Sequence, residues 1–177
     1  FFGDVKFVYQ NGLMNGTSST TFSPDGTTSR GMIVTILWRM AGSPDMKDEI
    51  LGYPFQDVDA NAYYATAVYR ARMNGIADGY GDNTFGPDKP ITREQMAVML
   101  YRYAQHKGYD TTQGGMAIRE YADYGQISSY ALEAMDWANA TGIVSGTSER
   151  LLSPQGQATR AQAAAMLMRF CEQYAEK

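Results

Sequence analysis

Apolar residues recur along the chain at helical spacing, in six separate stretches. Three stretches share the spacing i, i+3, i+4, i+7, which is typical of a helix with one apolar face. They are Ile33-Ile36-Leu37-Met40, Met96-Met99-Leu100-Tyr103 and Ala163-Met166-Leu167-Phe170. Each follows a shorter stretch, such as Tyr64, Val68 and Ala71. The pattern predicts six amphipathic helices of roughly 10 to 16 residues, too short to be stable alone, which must pack against one another.

The six stretches form three copies of one pattern. Equivalent residues stand 63 and then 67 positions apart, as Gly12, Gly75 and Gly142 do. The same steps separate Pro24, Pro87 and Pro154, and also Arg30, Arg93 and Arg160. Each copy is predicted as helix, loop, helix, and the glycine ends the first helix. We assign the copies to residues 1–44, 55–107 and 120–177 and expect them to fold as one cooperative domain.

Side chains near the second helix specify how the loop ends and how the helix begins. Ser29, Thr92 or Thr159 is the predicted N-cap. Thr92 with Gln95, and Thr159 with Gln162, match the capping box, whereas copy one lacks it. Two residues before the proline, each loop has an apolar residue that we expect to be a buried plug: Phe22, Phe85 and Leu152.

Copies two and three begin with a leader ahead of the first helix. The leaders are Phe55-Gln-Asp57-Val58 and Tyr121-Ala-Asp123-Tyr124. Phe1 aligns with Tyr64, inside the first helix, so the sequence begins after the position at which a leader of copy one is expected. We expect the chain to be a piece of a longer protein; a naturally shortened first copy is the alternative.

Composition and charge exclude several classes of function. The chain has 177 residues, of which 44% are hydrophobic, and a formal charge of -4, which does not favour nucleic acid or an anionic membrane surface. The longest apolar runs are too short for membrane insertion. One cysteine and one histidine argue against a disulfide framework, a cysteine-rich zinc site and a histidine-based triad. We expect no enzyme, metal or cofactor, and the acidic loop at 78–88 does not match a calcium motif.

The ordered motifs resemble the S-layer homology (SLH) domain of bacterial cell-surface proteins. Copy two matches best, through Phe55-Gln-Asp57-Val58, Gly75-Ile-Ala-Asp-Gly79, Thr84-Phe85-Gly-Pro87 and Ile91-Thr92-Arg93-Glu94. The resemblance covers nearly the whole chain. It implies an all-α fold with a pseudo-threefold arrangement of three helix-loop-helix repeats around a central three-helix bundle, with grooves between neighbouring repeats.

The resemblance also implies a function. SLH domains anchor secreted proteins to the cell wall without a covalent bond, outside the cell, by binding secondary cell-wall polysaccharide that is linked to peptidoglycan and often pyruvylated. Carried over by motif, the carbohydrate-binding residues are Arg30, Arg93, Arg160, Tyr63, Tyr130, Asp57, Asp123 and Gly79. A protein–protein assembly module is the alternative. Copies one and three depart from the motifs, so we expect unequal grooves, with copy two contributing the best ones.

A physical argument supports the three arginines. Each follows the N-cap, where a cation is unfavourable by about 0.3 to 1 kcal/mol but where a helix N-terminus and a guanidinium together make a good carboxylate receptor. The alternative is that each arginine braces its repeat by pairing with Asp57, Asp78 or Asp123. Asp57 and Asp123 themselves are expected mainly to cap or brace.

Other residues are assigned from position and residue type. Tyr64 and Tyr80 are further candidates for stacking on a sugar ring. A structural role is expected for Arg39, Arg102, Arg169, Trp38, Trp137 and Cys171, and a solvated helix end for His106.

Overall fold

The computed structural model describes residues 1–45 and 55–174, and the regular structure of these residues is helical. The helices are α1 (Phe2–Gln10), α2 (Arg30–Met40), α3 (Ala65–Met73), α4 (Arg93–His106), α5 (Leu132–Ala140) and α6 (Arg160–Tyr174). Three short 3-10 turns, Ala117–Glu120, Tyr124–Gln126 and Ser129–Ala131, lie ahead of α5. Within the described ranges, β structure is limited to isolated bridges. The predicted all-α class is confirmed.

The glycines end the first helix of each copy as predicted. Gly12, Gly75 and Gly142 have φ angles of +67°, +67° and +76°, a left-handed conformation that glycine adopts without strain. These helices have nine residues each, slightly fewer than predicted. In copies two and three the difference arises because Tyr64 and Ala131 are N-caps and not first helical residues.

Side-chain caps fix the start of the second helices. Thr92 and Gln95 form the capping box of α4, with the Thr92 hydroxyl accepting from the Gln95 backbone N–H at 3.2 Å. Thr159 and Gln162 make the same reciprocal pair at α6. Both predicted capping boxes are confirmed, and in copy one Ser29 alone caps α2.

Helices pack in a cyclic order that joins the copies. The second helix of each copy packs against the first helix of the next, so α2 contacts α3, α4 contacts α5, and α6 returns to α1. A further contact joins α2 to α4. The predicted central three-helix bundle stays a prediction.

A cycle of backbone hydrogen bonds connects the three copies just ahead of their second helices. Thr28 N–H donates to the Ala158 carbonyl at 3.1 Å, Ala158 N–H to Ile91 at 2.9 Å, and Ile91 N–H to Thr28 at 2.8 Å. All three residues are fully buried. This cycle, which we call the hydrogen-bond triangle, fixes how the starts of α2, α4 and α6 lie relative to one another.

The loop plugs are buried to different extents. Phe85 and Leu152 are fully buried as predicted, and the leader residue Phe55 packs on Phe85 with ring centroids 5.4 Å apart. Phe22 is only partly buried, so the prediction was wrong there. Trp137 is buried, while Trp38 and Cys171 pack against the core from partly buried positions. His106 ends α4 in an exposed position, as expected.

Candidate functional site

The three motif arginines reach across to the loop of the next copy. Arg30 donates from Nε to the Phe85 carbonyl at 2.9 Å and from Nη2 to the Asp78 carbonyl at 2.7 Å. Equivalent pairs of bonds run from Arg93 to Leu152 and Ser145, and from Arg160 to Phe22 and Asn15. Each arginine therefore clamps the loop of a neighbouring repeat, and the one beside the copy-two loop comes from copy one.

Burial of these arginines is unusual for a charged side chain. Arg30, Arg93 and Arg160 are 5%, 5% and 7% exposed, and this burial lowers the pKa of each guanidinium. Within residues 1–45 and 55–174, none of the three forms an ion pair. The expected bracing is present, but its partners are carbonyls, so the alternative that named Asp57, Asp78 and Asp123 as ion-pair partners was wrong.

Asp57 and Asp123 hold the same loops from the other side. The Asp57 carboxylate accepts from the backbone N–H groups of Phe85 and Gly86, both at 2.8 Å. Asp123 accepts in the same way from Leu152 and Ser153, at 2.9 and 2.7 Å. Both aspartates therefore brace the loop, and their binding of sugar stays a prediction.

One groove lies between the copy-two loop and α4. Its volume is about 360 Å³, and we call it the copy-two groove. It is lined by Arg30, Ile76, Ala77, Asp78, Gly79, Tyr80, Gln95, Val98, Met99, Arg102 and Tyr130. Arg30, Gly79, Tyr80 and Tyr130 were candidates from the sequence, and the structure brings them together here. Tyr80 and Tyr130 are 43% and 55% exposed, so both rings are accessible.

A smaller groove occupies the equivalent place at copy one. Its volume is about 170 Å³, and we call it the copy-one groove. It is lined by Leu13, Met14, Asn15, Gly16, Met32, Thr35, Ile36, Arg39, Tyr63 and Arg160. These positions match those of the copy-two groove under the repeat register, including Arg160 for Arg30 and Tyr63 for Tyr130. Arg93 makes the corresponding bonds beside the copy-three loop.

Two cationic side chains lie over the exposed ring of Tyr80 in the copy-two groove. The Arg30 guanidinium carbon lies 4.8 Å from the Tyr80 ring centroid, and Lys89 Nζ lies 4.3 Å from it. The register places Thr17 and Gly26 at the corresponding positions of copy one, so this arrangement is not repeated there. Asp78, the acid of the groove, is paired with both Arg72 and Arg102 at 3.0 Å.

Tyr130 is held at the edge of the groove by its hydroxyl. Its Oη donates to Glu94 Oε1 at 3.3 Å. Burial, and then the charge of Glu94, raises the pKa of Tyr130 to about 12. Tyr64 lies elsewhere, packed against Gly31, where an added Cβ would lie 3.1 Å from its ring.

Gly79 allows the copy-two loop to pack closely. A Cβ added there would lie 2.3 Å from the Thr84 carbonyl oxygen and 2.5 Å from the Phe55 ring. The same crowding occurs at Gly146, its counterpart in copy three. Gly79 therefore shapes the loop, in addition to lining the groove.

Sequence reasoning missed the helical wall of the groove. Gln95, Val98, Met99 and Arg102 follow the spacing i, i+3, i+4, i+7, displaced by one residue from the core stripe of α4. The signal was available in that spacing, but Arg102 and Arg39 were assigned structural roles alone. They do bind their own loops, through Asp78 and the Leu13 carbonyl, and they also line the grooves.

Neither a metal site nor a membrane span emerges from the described part of the chain. It contains no group of three or more His, Cys, Asp or Glu side chains suited to a metal ion. None of its helices combines the length and the apolar character that a membrane crossing requires.

Comparison with known proteins gives relatives along almost the whole chain. It is 33% identical to an endoglucanase from Bacillus sp. (strain KSM-635), over 92% of this chain and 17% of that protein. It is 31% identical to an amylopullulanase from Thermoanaerobacterium thermosulfurigenes, over 95% of this chain and 9% of the relative. It is 27% identical to the surface-layer 125 kDa protein of Lysinibacillus sphaericus, over 95% of this chain and 14% of the relative. The chain thus spans less than a fifth of each relative.

A family match falls once in each predicted copy. The S-layer homology domain matches residues 1–31, 54–97 and 120–164. These segments include the clamp arginines, both grooves' loops and the bracing aspartates. The repeat pattern, the helical structure and these matches lead to one conclusion: this chain belongs to the S-layer homology domain family.

Proposed function

We propose that this domain anchors a secreted bacterial surface protein to the cell wall without a covalent bond, by binding an acidic secondary cell-wall polysaccharide in its grooves. The observation that carries the proposal is the use of Arg30. Its Nε and Nη2 donate to loop carbonyls, while Nη1 makes no hydrogen bond to the described residues and belongs to a side chain that lines the copy-two groove. A fixed guanidinium with an N–H group left over is suited to a carboxylate.

The remaining groove chemistry fits a sugar that bears such a carboxylate. Exposed Tyr130 offers an aromatic face to the C–H side of a pyranose ring, and Gln95 offers an amide for hydroxyl groups. Arg102 and Lys89 add positive charge near the same surface. A pyruvate ketal, which joins a carboxylate to a sugar, has this combination of properties.

We propose further that the copy-two groove is the principal site. Its volume is about twice that of the copy-one groove. Of the two grooves, only the copy-two groove has a tyrosine, Tyr80, with Arg30 and Lys89 over its ring. Because the chain spans only a small part of its enzyme relatives, their catalytic activities give no reason to propose a catalytic activity for this chain.

Calorimetry on purified, peptidoglycan-free wall polysaccharide tests the proposal, using one sample with its pyruvate ketals and one after their removal by mild acid. Tyr130→Ala is expected to weaken binding roughly 5- to 30-fold through the loss of an aromatic contact. Tyr63→Ala, at a similarly exposed position of the copy-one groove, is the matched control and is expected to have a smaller effect.

Two results would contradict the proposal. Equal affinity for both polysaccharide samples would show that the ketal carboxylate does not contribute to binding. Absence of binding to any wall fraction, together with self-association or capture of another surface protein, would favour the assembly module.

A further inference from the structure

A buried carboxylate lies behind the copy-two groove. Glu94, the second residue of α4, is only 3% exposed. It accepts a hydrogen bond from the Ser128 backbone N–H at 3.0 Å and from the Ser128 hydroxyl at 2.6 Å. Ser128 directly precedes the 3-10 turn Ser129–Ala131 that leads into α5. Glu94 thus connects the start of one helix to the segment that enters another.

The third bond of this carboxylate reaches the groove. Tyr130 donates its hydroxyl to Glu94 Oε1 at 3.3 Å, although the residue as a whole is 55% exposed. One end of the ring is therefore fixed inside the protein while the ring lines the groove. A side chain that is already ordered loses less conformational freedom when a ligand binds to it.

We propose that Glu94 is the positioning residue of the copy-two groove: it holds Ser128 and Tyr130 so that the tyrosine ring is ordered before a sugar ring arrives. This inference rests on the proposed function of that groove. Glu94 acts through Tyr130 and does not itself line the groove.

The carboxylate that binds the groove tyrosine is particular to copy two. Gly31 and Ala161 occupy the position of Glu94 in copies one and three, so neither provides a carboxylate. In the copy-one groove the hydroxyl of Tyr63 is beside that of Ser29, which opposes the rise in pKa that burial causes at Tyr63. Glu94 therefore distinguishes the copy-two groove, because only there among the three copies does this helix position provide a carboxylate for the tyrosine hydroxyl.

A double-mutant cycle on the intact chain tests this role. Glu94→Ala introduces the residue that copy three already has at the same position, where α6 still begins at Arg160. We expect Glu94→Ala to weaken binding of the ketal-bearing wall polysaccharide roughly 3- to 10-fold. Glu94→Gln keeps one acceptor oxygen and should recover a large part of this loss. In a Tyr130→Ala background, Glu94→Ala should have no further effect.

Each result decides the inference. Glu94→Ala with unchanged affinity would overturn it, and so would an equal loss in both backgrounds, because a general effect on folding does not depend on Tyr130. A second measurement, the ¹⁹F resonance of 3-fluorotyrosine at position 130, needs no ligand. A resonance that Glu94→Ala shifts toward that of an exposed tyrosine supports positioning, and an unchanged one contradicts it. If the unmutated domain binds no polysaccharide, the proposed function fails, and this resonance still shows whether Glu94 orders the ring.

Discussion

Arg30, Arg93 and Arg160 show how a locally unfavourable residue becomes favourable in context. A cation in the first turn of a helix is destabilising by about 0.3 to 1 kcal/mol. Each of these side chains recovers this through two hydrogen bonds to carbonyls of the next repeat. Of the two roles that the sequence left open, ligand and brace, the structure shows the brace, as a clamp between repeats, and the ligand role stays a prediction.

The Thr28 hydroxyl is buried and makes no hydrogen bond in the described structure, so it destabilises the folded state. Its counterparts in the hydrogen-bond triangle are the apolar Ile91 and Ala158. Thr28→Val should raise the free energy of unfolding by about 1 kcal/mol, since it removes an unsatisfied polar group and keeps the shape. Urea denaturation measures this change. Thr35→Val is the matched control and should destabilise, because the Thr35 hydroxyl donates to the Gly31 carbonyl at 2.7 Å; equal effects of the two changes would contradict the explanation.

Tyr103 makes the free energy of unfolding depend on pH in the alkaline range. Burial raises its pKa from 10.0 to about 12, so the folded protein holds the phenolic proton more tightly than the unfolded chain does. This contribution is complete below pH 10 and is lost between pH 10 and about 12, at up to about 1.4 kcal/mol per pH unit. Tyr103→Phe should therefore lose less stability than the unmutated domain between pH 8 and pH 11, measured by urea denaturation at each pH. The exposed Tyr9→Phe should follow the unmutated domain, and parallel curves for Tyr103→Phe would refute the assignment.

At the scale of elements, the loop between the two helices of each copy is held on several sides. In copy two, Arg30 binds its carbonyls, Asp57 binds its N–H groups, and the Phe55 ring covers its plug. A loop with so many fixed points can present Tyr80 and the Asp78 segment to a ligand in a defined geometry. This is the local order that a binding groove requires.

Gly79 tests whether the loop depends on this close packing. Gly79→Ala should lower the melting temperature markedly and weaken polysaccharide binding, because the added Cβ meets the Thr84 carbonyl at 2.3 Å. Gly3→Ala is the control: it lies within α1, where an added Cβ meets nothing within 4 Å, and it should stabilise by up to about 1 kcal/mol. Circular dichroism on heating measures both. A Gly79→Ala domain as stable as the unmutated one would show that the loop can relax.

At the scale of the whole molecule, the three repeats depend on one another. The second helix of each copy packs against the first helix of another copy, and the hydrogen-bond triangle joins all three copies. The domain should therefore unfold in one transition and not copy by copy.

Two tryptophans allow this prediction to be measured. Trp38 lies in copy one and Trp137 in copy three, so Trp137→Phe leaves a reporter for copy one and Trp38→Phe leaves one for copy three. For each variant, urea curves from fluorescence and from circular dichroism should coincide, because both signals follow the same transition. A fluorescence transition of Trp38 that precedes loss of helicity would show that copy one unfolds separately.

Repetition made the fold largely predictable and the site only partly so. The register located six helices, their glycine ends and two capping boxes, because these depend on neighbouring residues. It did not reveal that Arg30 reaches Phe85 and Asp78, since spacing identifies equivalent residues but not contacts between copies. The incomplete burial of Phe22 was also missed; the contact on its ring, from the Arg160 guanidinium 4.5 Å away, belongs to another copy.

The pairing of α6 with α1 has a consequence for the order of events during synthesis. The partner of the first helix is the last helix of the described chain to leave the ribosome, more than 140 residues later. Contacts between such distant segments form slowly, because a long loop must close first. The packing between α1 and α6 therefore cannot form until α6 has been translated, and until then the apolar face of α1 lacks its partner helix.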